Sequence, residues 1–172
     1  MKFFFFWGGI LSNFHQFPKQ ESSEFTSSEQ AYMFTKASFF GDTEIATKIL
    51  KSTTPKEAKK LGRKVQNFNQ QAWDFVKTHA MDNALRMKAN HCPEFVDFLL
   101  STGNDILIEA SPFDRIWGIG FDEENALANQ EKWGQNLLGK CLMELREKLY
   151  PVGDHGTNIR RNLEFNFPRI NS

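Results

Sequence analysis

The sequence predicts an α+β fold that is mostly helical, a compact single domain with a few short strands. Three observations carry that expectation. Apolar residues recur at helical spacing through most of residues 27–150. Two short apolar runs, 2–7 and 104–109, are bounded by turn residues and read as buried strands. No long Gly, Ser or Pro linker divides the 172 residues, a length sufficient for one domain with a real core. Residues 1–150 are therefore expected to form the domain, and 151–172 a C-terminal extended tail.

The elements follow in chain order. Residues 2–7 hold Phe3-Phe4-Phe5-Phe6-Trp7, and Gly8-Gly9 ends that strand. Leu11–Phe14 reads as a loop or tight turn, and 16–25 as mixed polar and aromatic chain with a short hairpin around Lys19–Ser23. A helix runs from about Ser27 to Phe40, with Gly41 as its C-cap. Thr26-x-x-Glu29 has the form of a capping box at its start. Residues 43–51 place Ile45, Ile49 and Leu50 on one side. Thr54-Pro55-Lys56-Glu57 is a strong helix start, and that helix ends near Gly62-Arg63. Residues 70–90 form a long amphipathic helix through Trp73, Val76, Ala80, Ala84 and Met87. Pro93 opens a short helix through Leu100, stopped at Gly103. After the 104–109 strand, 111–120 is too rich in glycine for a helix, 123–130 is a turn of helix, and 134–136 is a loop. Leu137–Tyr150 is the last amphipathic helix, stopped by Pro151.

Composition narrows the function. Twenty-one basic residues balance 21 acidic ones, which argues against holding nucleic acid by bulk charge but not against a pocket for one nucleotide. Eighteen phenylalanines build core and also line pockets where flat rings stack. Cys92 and Cys141 lack paired spacing, so a reducing compartment is expected. His15, His79, His91 and His155 are scattered, so no metal is expected, and no cofactor. The apolar N-terminal run is too short to span a bilayer and lacks a signal peptide's basic start. The expectation is a soluble, cytoplasmic protein with no membrane partner.

Three segments carry residues that local structure does not require. Glu29 and Lys36 stand seven positions apart, about two helical turns, and so share one face. A carboxylate and an amine on an apolar face are costly to bury unless they pair or do chemistry. The capping box is the alternative role for Glu29, and a solvated cation the alternative for Lys36. Asn13 follows two glycines with Phe14 beside it; it offers amide donors and an acceptor, or is a turn residue. Asp114-x-x-Trp117-Gly118-x-Gly120 follows a strand. It gives a carboxylate, a stacking face and glycines that let backbone approach a ligand, or else a structural turn with a core Trp. Its spacing is not that of a dinucleotide-binding loop.

Taken in order, the segments resemble the NADAR family (NAD- and ADP-ribose-associated). The matching motifs are Leu11-Ser12-Asn13-Phe14, Ser27-Ser28-Glu29-Gln30-Ala31-Tyr32 with Lys36-Ala37, and Leu61-Gly62-Arg63. They continue with Ala84-Leu85-Arg86-Met87-Lys88, Asp114-Arg115-Ile116-Trp117-Gly118-Ile119-Gly120, and Asn136-Leu137-Leu138-Gly139 ahead of Leu142-Met143-Glu144-Leu145-Arg146. The set covers residues 3 to about 149. Some relatives carry Trp-Gly-Asp-Gly where this chain has Ile119, a difference that weighs against carrying over those members' substrate.

The resemblance implies a compact, mostly α-helical α+β domain that cleaves N-glycosidic bonds. Members fall into two substrate groups. One hydrolyses ribosylaminopyrimidine phosphates, early riboflavin intermediates. The other removes ADP-ribose from guanine in DNA or RNA, reversing a toxin-type ADP-ribosylation. The second is favoured here, with an ADP-ribosyltransferase toxin as a conceivable counterpart; a non-catalytic ADP-ribose reader is the alternative from another class. In both reactions ribose C1 is bonded to an exocyclic amine, whose departure needs a proton donor and something to stabilise or trap cationic C1. Glu29 is assigned the acid/base role, which calls for a pKa raised by burial. Lys36 is assigned attack on C1 as a Schiff-base nucleophile, or phosphate binding. Asp114 would orient ribose hydroxyls or a water. Trp117 and Phe14 would stack on base or ribose, and Tyr32, Gly118 and Asn136 are further substrate-binding candidates. Asn13 would read polar edges, and Arg63, Arg86 and Lys88 would contact phosphate.

Overall fold

The computed structural model describes residues 2–150 with 164, 166 and 167. The expected tail over 151–172 otherwise lies outside the described residues, as does the stop at Pro151. The described chain has seven α-helices and one two-stranded sheet, so the α+β, mostly helical expectation holds. It divides into two compact units, one holding 2–12 and 93–150, the other 13–92 with 164, 166 and 167.

In the first unit, β1 (Phe3–Phe6) pairs in parallel with β2 (Ile106–Glu109), Phe3 opposite Ile106 and Phe6 opposite Glu109. Parallel strands need a crossover rather than a hairpin, and the two runs that pair lie far apart in the sequence. A 3₁₀ turn (Gly9–Leu11) follows β1. Three helices complete the unit: α5 (Pro93–Ser101), α6 (Glu123–Ala126) and α7 (Leu137–Leu149). A second 3₁₀ stretch, Leu127–Lys132, follows α6. Ile108, Ile119 and Ala126 form a buried cluster with Phe5, Ile106, Phe121 and Trp133 packed on it.

Asn136 ties α7 to the sheet. It sits left-handed (φ 50°) just before the helix, a conformation asparagine tolerates better than other non-glycine residues. Its Nδ2 donates to the Leu107 carbonyl at 2.9 Å, and its Oδ1 accepts from the Glu109 N–H at 2.9 Å. Gly139, one turn on, is required by packing: a Cβ there would lie 2.1 Å from the Leu107 carbonyl oxygen. Replacing Asn136 with Ala leaves two backbone groups of β2 without these partners and puts Ala in a left-handed site. The expected loss is roughly 3 kcal/mol or more, read as a fall in melting temperature. An unchanged melting temperature would contradict this role.

The second unit is four helices: α1 (Ser28–Phe39), α2 (Thr43–Lys51), α3 (Pro55–Gly62) and α4 (Gln70–His91). Gly41 ends α1 at φ 72°, a left-handed value that favours glycine. The α3 start forms as expected, with the Thr54 side chain accepting from the Glu57 N–H and Pro55 in the first turn. Around Lys19–Ser23 the chain makes one antiparallel bridge, Gln20 to Ser23. Packing of α1 brings Tyr32 to 5.4 Å from the Trp73 ring and Phe34 to 5.3 Å from Phe25. Offset pairs at such distances add to what burial alone supplies.

The start of α1 differs from the expected box. Ser27, not Thr26, is the N-cap, and its hydroxyl oxygen accepts from the Gln30 N–H at 3.1 Å. Gln30 closes the box, its Oε1 accepting from the Thr26 N–H at 2.9 Å. The motif is shifted by one residue, so closing the box falls to an amide rather than to the Glu29 carboxylate. Gln30 also donates through Nε2 to the carbonyls of Ile49 and Ser52, which fixes it inward.

Candidate active site

The second unit holds the carboxylate and amine that the sequence singled out. Glu29 lies in the first turn of α1 and is buried. Its N–H donates to the Asn13 carbonyl at 3.1 Å. Asn13 is itself pinned: Oδ1 accepts from the Ser28 hydroxyl at 2.9 Å, and Nδ2 donates to the Met81 sulfur at 3.3 Å. Asn13 thus clasps the start of α1 and orients the backbone that carries Glu29. The Asn13 amide serves that clasp.

Lys36 lies two turns along α1 and is half-buried. Its Nζ donates to the Gly62 carbonyl at 3.0 Å and sits 4.4 Å from the centre of the Phe68 ring. Gly62 permits that approach because α1 and α3 touch there, and a Cβ at 62 would meet the Met33 sulfur at 2.1 Å. Burial is the largest influence on the Lys36 amine and lowers its pKa; the Arg63 guanidinium lowers it further, and the Glu29 charge acts the other way. The net displacement is downward, which enlarges the fraction of neutral, nucleophilic amine.

Cations gather on the same unit. Arg63 is exposed at the C-cap of α3. Lys59, one turn earlier, places Nζ 5.4 Å from the centre of the exposed Phe14 ring. Sequence reasoning did not single out Lys59; its i, i+4 spacing to Arg63 was the available clue. Tyr32 is buried against Trp73. Arg86 is engaged locally, with Nε 2.7 Å from an Asp82 oxygen and Nη1 3.4 Å from the Glu164 carbonyl.

Lys88 does not reach the surface. It is fully buried in α4, and burial pushes its amine down to about 7, with the Cys92 thiol acting the other way. A contact to solvent-borne phosphate is therefore closed to it in this conformation. The consequence is for stability. An unfolded lysine stays protonated to about 10.4, so between about 7 and 10 the unfolded chain holds more protons and stability rises with pH. Below about 7 the full cost of charging a buried amine applies, roughly 5 kcal/mol as an upper figure. The melting temperature of wild type is expected to climb across pH 7–10 more steeply than that of Lys88→Met. Equal slopes would contradict a buried titrating amine.

The first unit holds the remaining expected residues. Asp114 braces its loop, one oxygen accepting from the N–H groups of Ile116 and Trp117, each at 2.8 Å. Trp117 is half-buried. Gly118 is required by its own chain: a Cβ would lie 2.8 Å from the Glu109 carbonyl and 3.0 Å from that of Asp114. Close approach here serves packing. Asn136 spends both ends of its amide on β2, as described. Ile119, read from sequence as bearing on substrate, is wholly buried in the Ile108 cluster. It is a core residue, which removes that argument between substrates.

Among the described residues, no three His, Cys, Asp or Glu side chains gather as a metal site would need. Neither cysteine forms a disulfide among the described residues, and both are buried. No helix among the described residues is long and apolar enough to cross a membrane.

Comparison with known proteins gives a consistent set of likenesses. The family profile described as NADAR domain matches residues 5–150. The N-glycosidase R617 of Acanthamoeba polyphaga mimivirus is 43% identical over 131 residues, 75% of this chain and 77% of that protein. The chloroplastic riboflavin biosynthesis protein PYRR of Zea mays is 30% identical over 154 residues, 82% of this chain but 23% of that longer protein. The NMR structure of the E. coli protein YbiA shares 29% identity with a TM-score of 0.70, covering 86% of this chain and 84% of that one.

Proposed function

The chain belongs to the NADAR family and is an N-glycosyl hydrolase; from that premise we propose that it breaks the bond between ribose C1 and an exocyclic amine, removing ADP-ribose from guanine bases of nucleic acid. The observation that carries this reading is the pair on one face of α1: buried Glu29, and Lys36 with its amine pKa lowered by burial and by Arg63. A carboxyl group and an amine whose pKa is drawn downward supply the proton and the nucleophile that a ribosylamine needs.

The reaction balances as follows. The Glu29 carboxyl gives its proton to the departing nitrogen as the C1–N bond breaks. Lys36 Nζ forms a bond to C1, the sugar ring opens, and an imine results. On ring opening O4′ takes a proton from Nζ; water then adds to C1, Glu29 taking one of its protons, the carbinolamine collapses to the open-chain aldehyde as Nζ regains a proton and Lys36 leaves as free amine, and the O4′ hydroxyl closes on C1. Base with its amino group and sugar with a C1 hydroxyl are the products.

ADP-ribose is preferred as the sugar part because α3 supplies Lys59 and Arg63 on the unit that holds Lys36, and several cations suit a diphosphate. A second reading, hydrolysis of ribosylaminopyrimidine phosphates, is favoured by the likeness to a riboflavin biosynthesis protein. Product analysis on both substrates separates them. The proposal expects free ADP-ribose and an intact guanine oligonucleotide from a short DNA carrying guanine-linked ADP-ribose. Turnover of the pyrimidine phosphate alone would replace it with the second reading. Turnover of neither, with ADP-ribose bound, would leave a reader.

A further inference from the structure

The Lys36 amine has a neighbour that the proposed reaction leaves unused. Nζ lies over the Phe68 ring, 4.4 Å from its centre, while the Gly62 carbonyl accepts a hydrogen bond from it at 3.0 Å. A cation within about 6 Å of an aromatic centre is attracted by the negative face of the ring. A neutral amine gains far less. The ring therefore discriminates between the two charge states of this one nitrogen.

The position of Phe68 is set by its neighbours rather than by the core. The residue is 40% exposed, in the segment between α3 and α4. That segment is fixed on both sides of the ring. The Gln66 N–H donates to Asp42 Oδ2 at 2.9 Å, and Asp42 is the N-cap of α2. Asn67 is left-handed (φ 55°), a conformation asparagine tolerates. Asn69 caps α4, its side chain accepting from the Ala72 N–H at 2.8 Å. The Phe40 ring meets Phe68 edge-on at 5.2 Å and 64°. The ring is thus held over Nζ rather than left to turn in solvent.

The charged groups acting on the amine are Arg63, at the C-cap of α3, and Glu29, on α1 itself. The other helices packed on α1, α2 and α4, add none among the described residues. Arg63 and burial favour the neutral amine, and Glu29 favours the ammonium. We infer that Phe68 stabilises positive charge on Lys36 Nζ, in the resting ammonium and again in the protonated imine that forms there. The first half rests on the contact alone. The second half rests on the proposed reaction, in which ring opening leaves the charge on this same nitrogen, now bonded to C1. Phe68 forms no bond and moves no proton; its contribution is the face of its ring.

The test grades that face without changing its shape. Phenylalanine bearing one, two or three ring fluorines is placed at 68, and the Lys36 pKa is read from the pH titration of its Cε resonance. Each fluorine draws electron density from the ring face. The Lys36 pKa is expected to fall stepwise, by about 0.4–0.7 across the series, with the melting temperature unchanged. A merely structural role would not follow the fluorine count. At pH above the Lys36 limb, kcat on guanine-linked ADP-ribose is expected to fall about two- to fivefold across the same series. KM should stay within about twofold, and the adduct trapped by borohydride should decline in parallel. A Lys36 pKa that rises or stays level would overturn the assignment. A falling pKa with level kcat and level trapping would overturn its imine half. A falling pKa in a protein without glycosidase activity would support the contact and remove the reaction. Glycosidase activity with a level pKa would remove Phe68 and leave the reaction.

Discussion

Glu29→Gln is expected to lower kcat on guanine-linked ADP-ribose by about 10²–10⁴-fold, the range that positioned proton transfer supplies, with the melting temperature nearly unchanged. The substitution keeps the size of the side chain and removes only its ability to carry the proton. The helix start does not depend on it for closing the cap, because Gln30 accepts from the Thr26 N–H and the Ser27 hydroxyl accepts from the Gln30 N–H. The backbone N–H of residue 29 still donates to the Asn13 carbonyl. Full activity in this variant would take Glu29 out of the chemistry. A large fall in melting temperature would make its role structural.

Lys36→Arg is expected to reduce kcat by at least about 10²-fold while KM stays within a few-fold, since arginine keeps the cation but cannot serve as a nucleophile at accessible pH. The wild-type amine is drawn below its ordinary pKa by burial and by Arg63. Its activity should therefore rise with pH along a limb lying below that of a free lysine. Borohydride added during turnover should reduce the imine and leave the sugar covalently on Lys36, detected as a mass increase on the α1 peptide. Retained kcat in Lys36→Arg, with no trapped adduct, would reduce Lys36 to a binding residue.

Much of the fold was legible because its elements carry strong local patterns. Thr54-Pro55-x-Glu57 admits one reading, and it formed as written. The α1 start was ambiguous by one residue: Thr26-x-x-Glu29 and Ser27-x-x-Gln30 both fit a capping box. Packing decided for the second, because Gln30 also bonds the Ile49 and Ser52 carbonyls, contacts no local pattern reveals. The pairing of β1 with β2 was not legible either, since β1 is wholly apolar and β2 apolar up to Glu109, so neither carries an alternation to set partner or register.

For the candidate site, the pairing of Glu29 with Lys36 on one helix face followed from spacing alone. Lys88 was misjudged as a phosphate contact, though it stands four residues from Ala84 on the buried stripe of α4. Gly118 and Asn136 were read toward a ligand, and the structure turns both toward their own backbone. Glycine and asparagine serve close approach equally whether the neighbour is a ligand or the chain.

The most direct test of the account is hydrolysis of a guanine-ADP-ribosylated oligonucleotide in ¹⁸O-labelled water, with wild type and Glu29→Gln in parallel. The account predicts ADP-ribose released by wild type alone, labelled at C1, with the guanine amino group retained. Label on the base with loss of its amine, or equal release by both proteins, would contradict it.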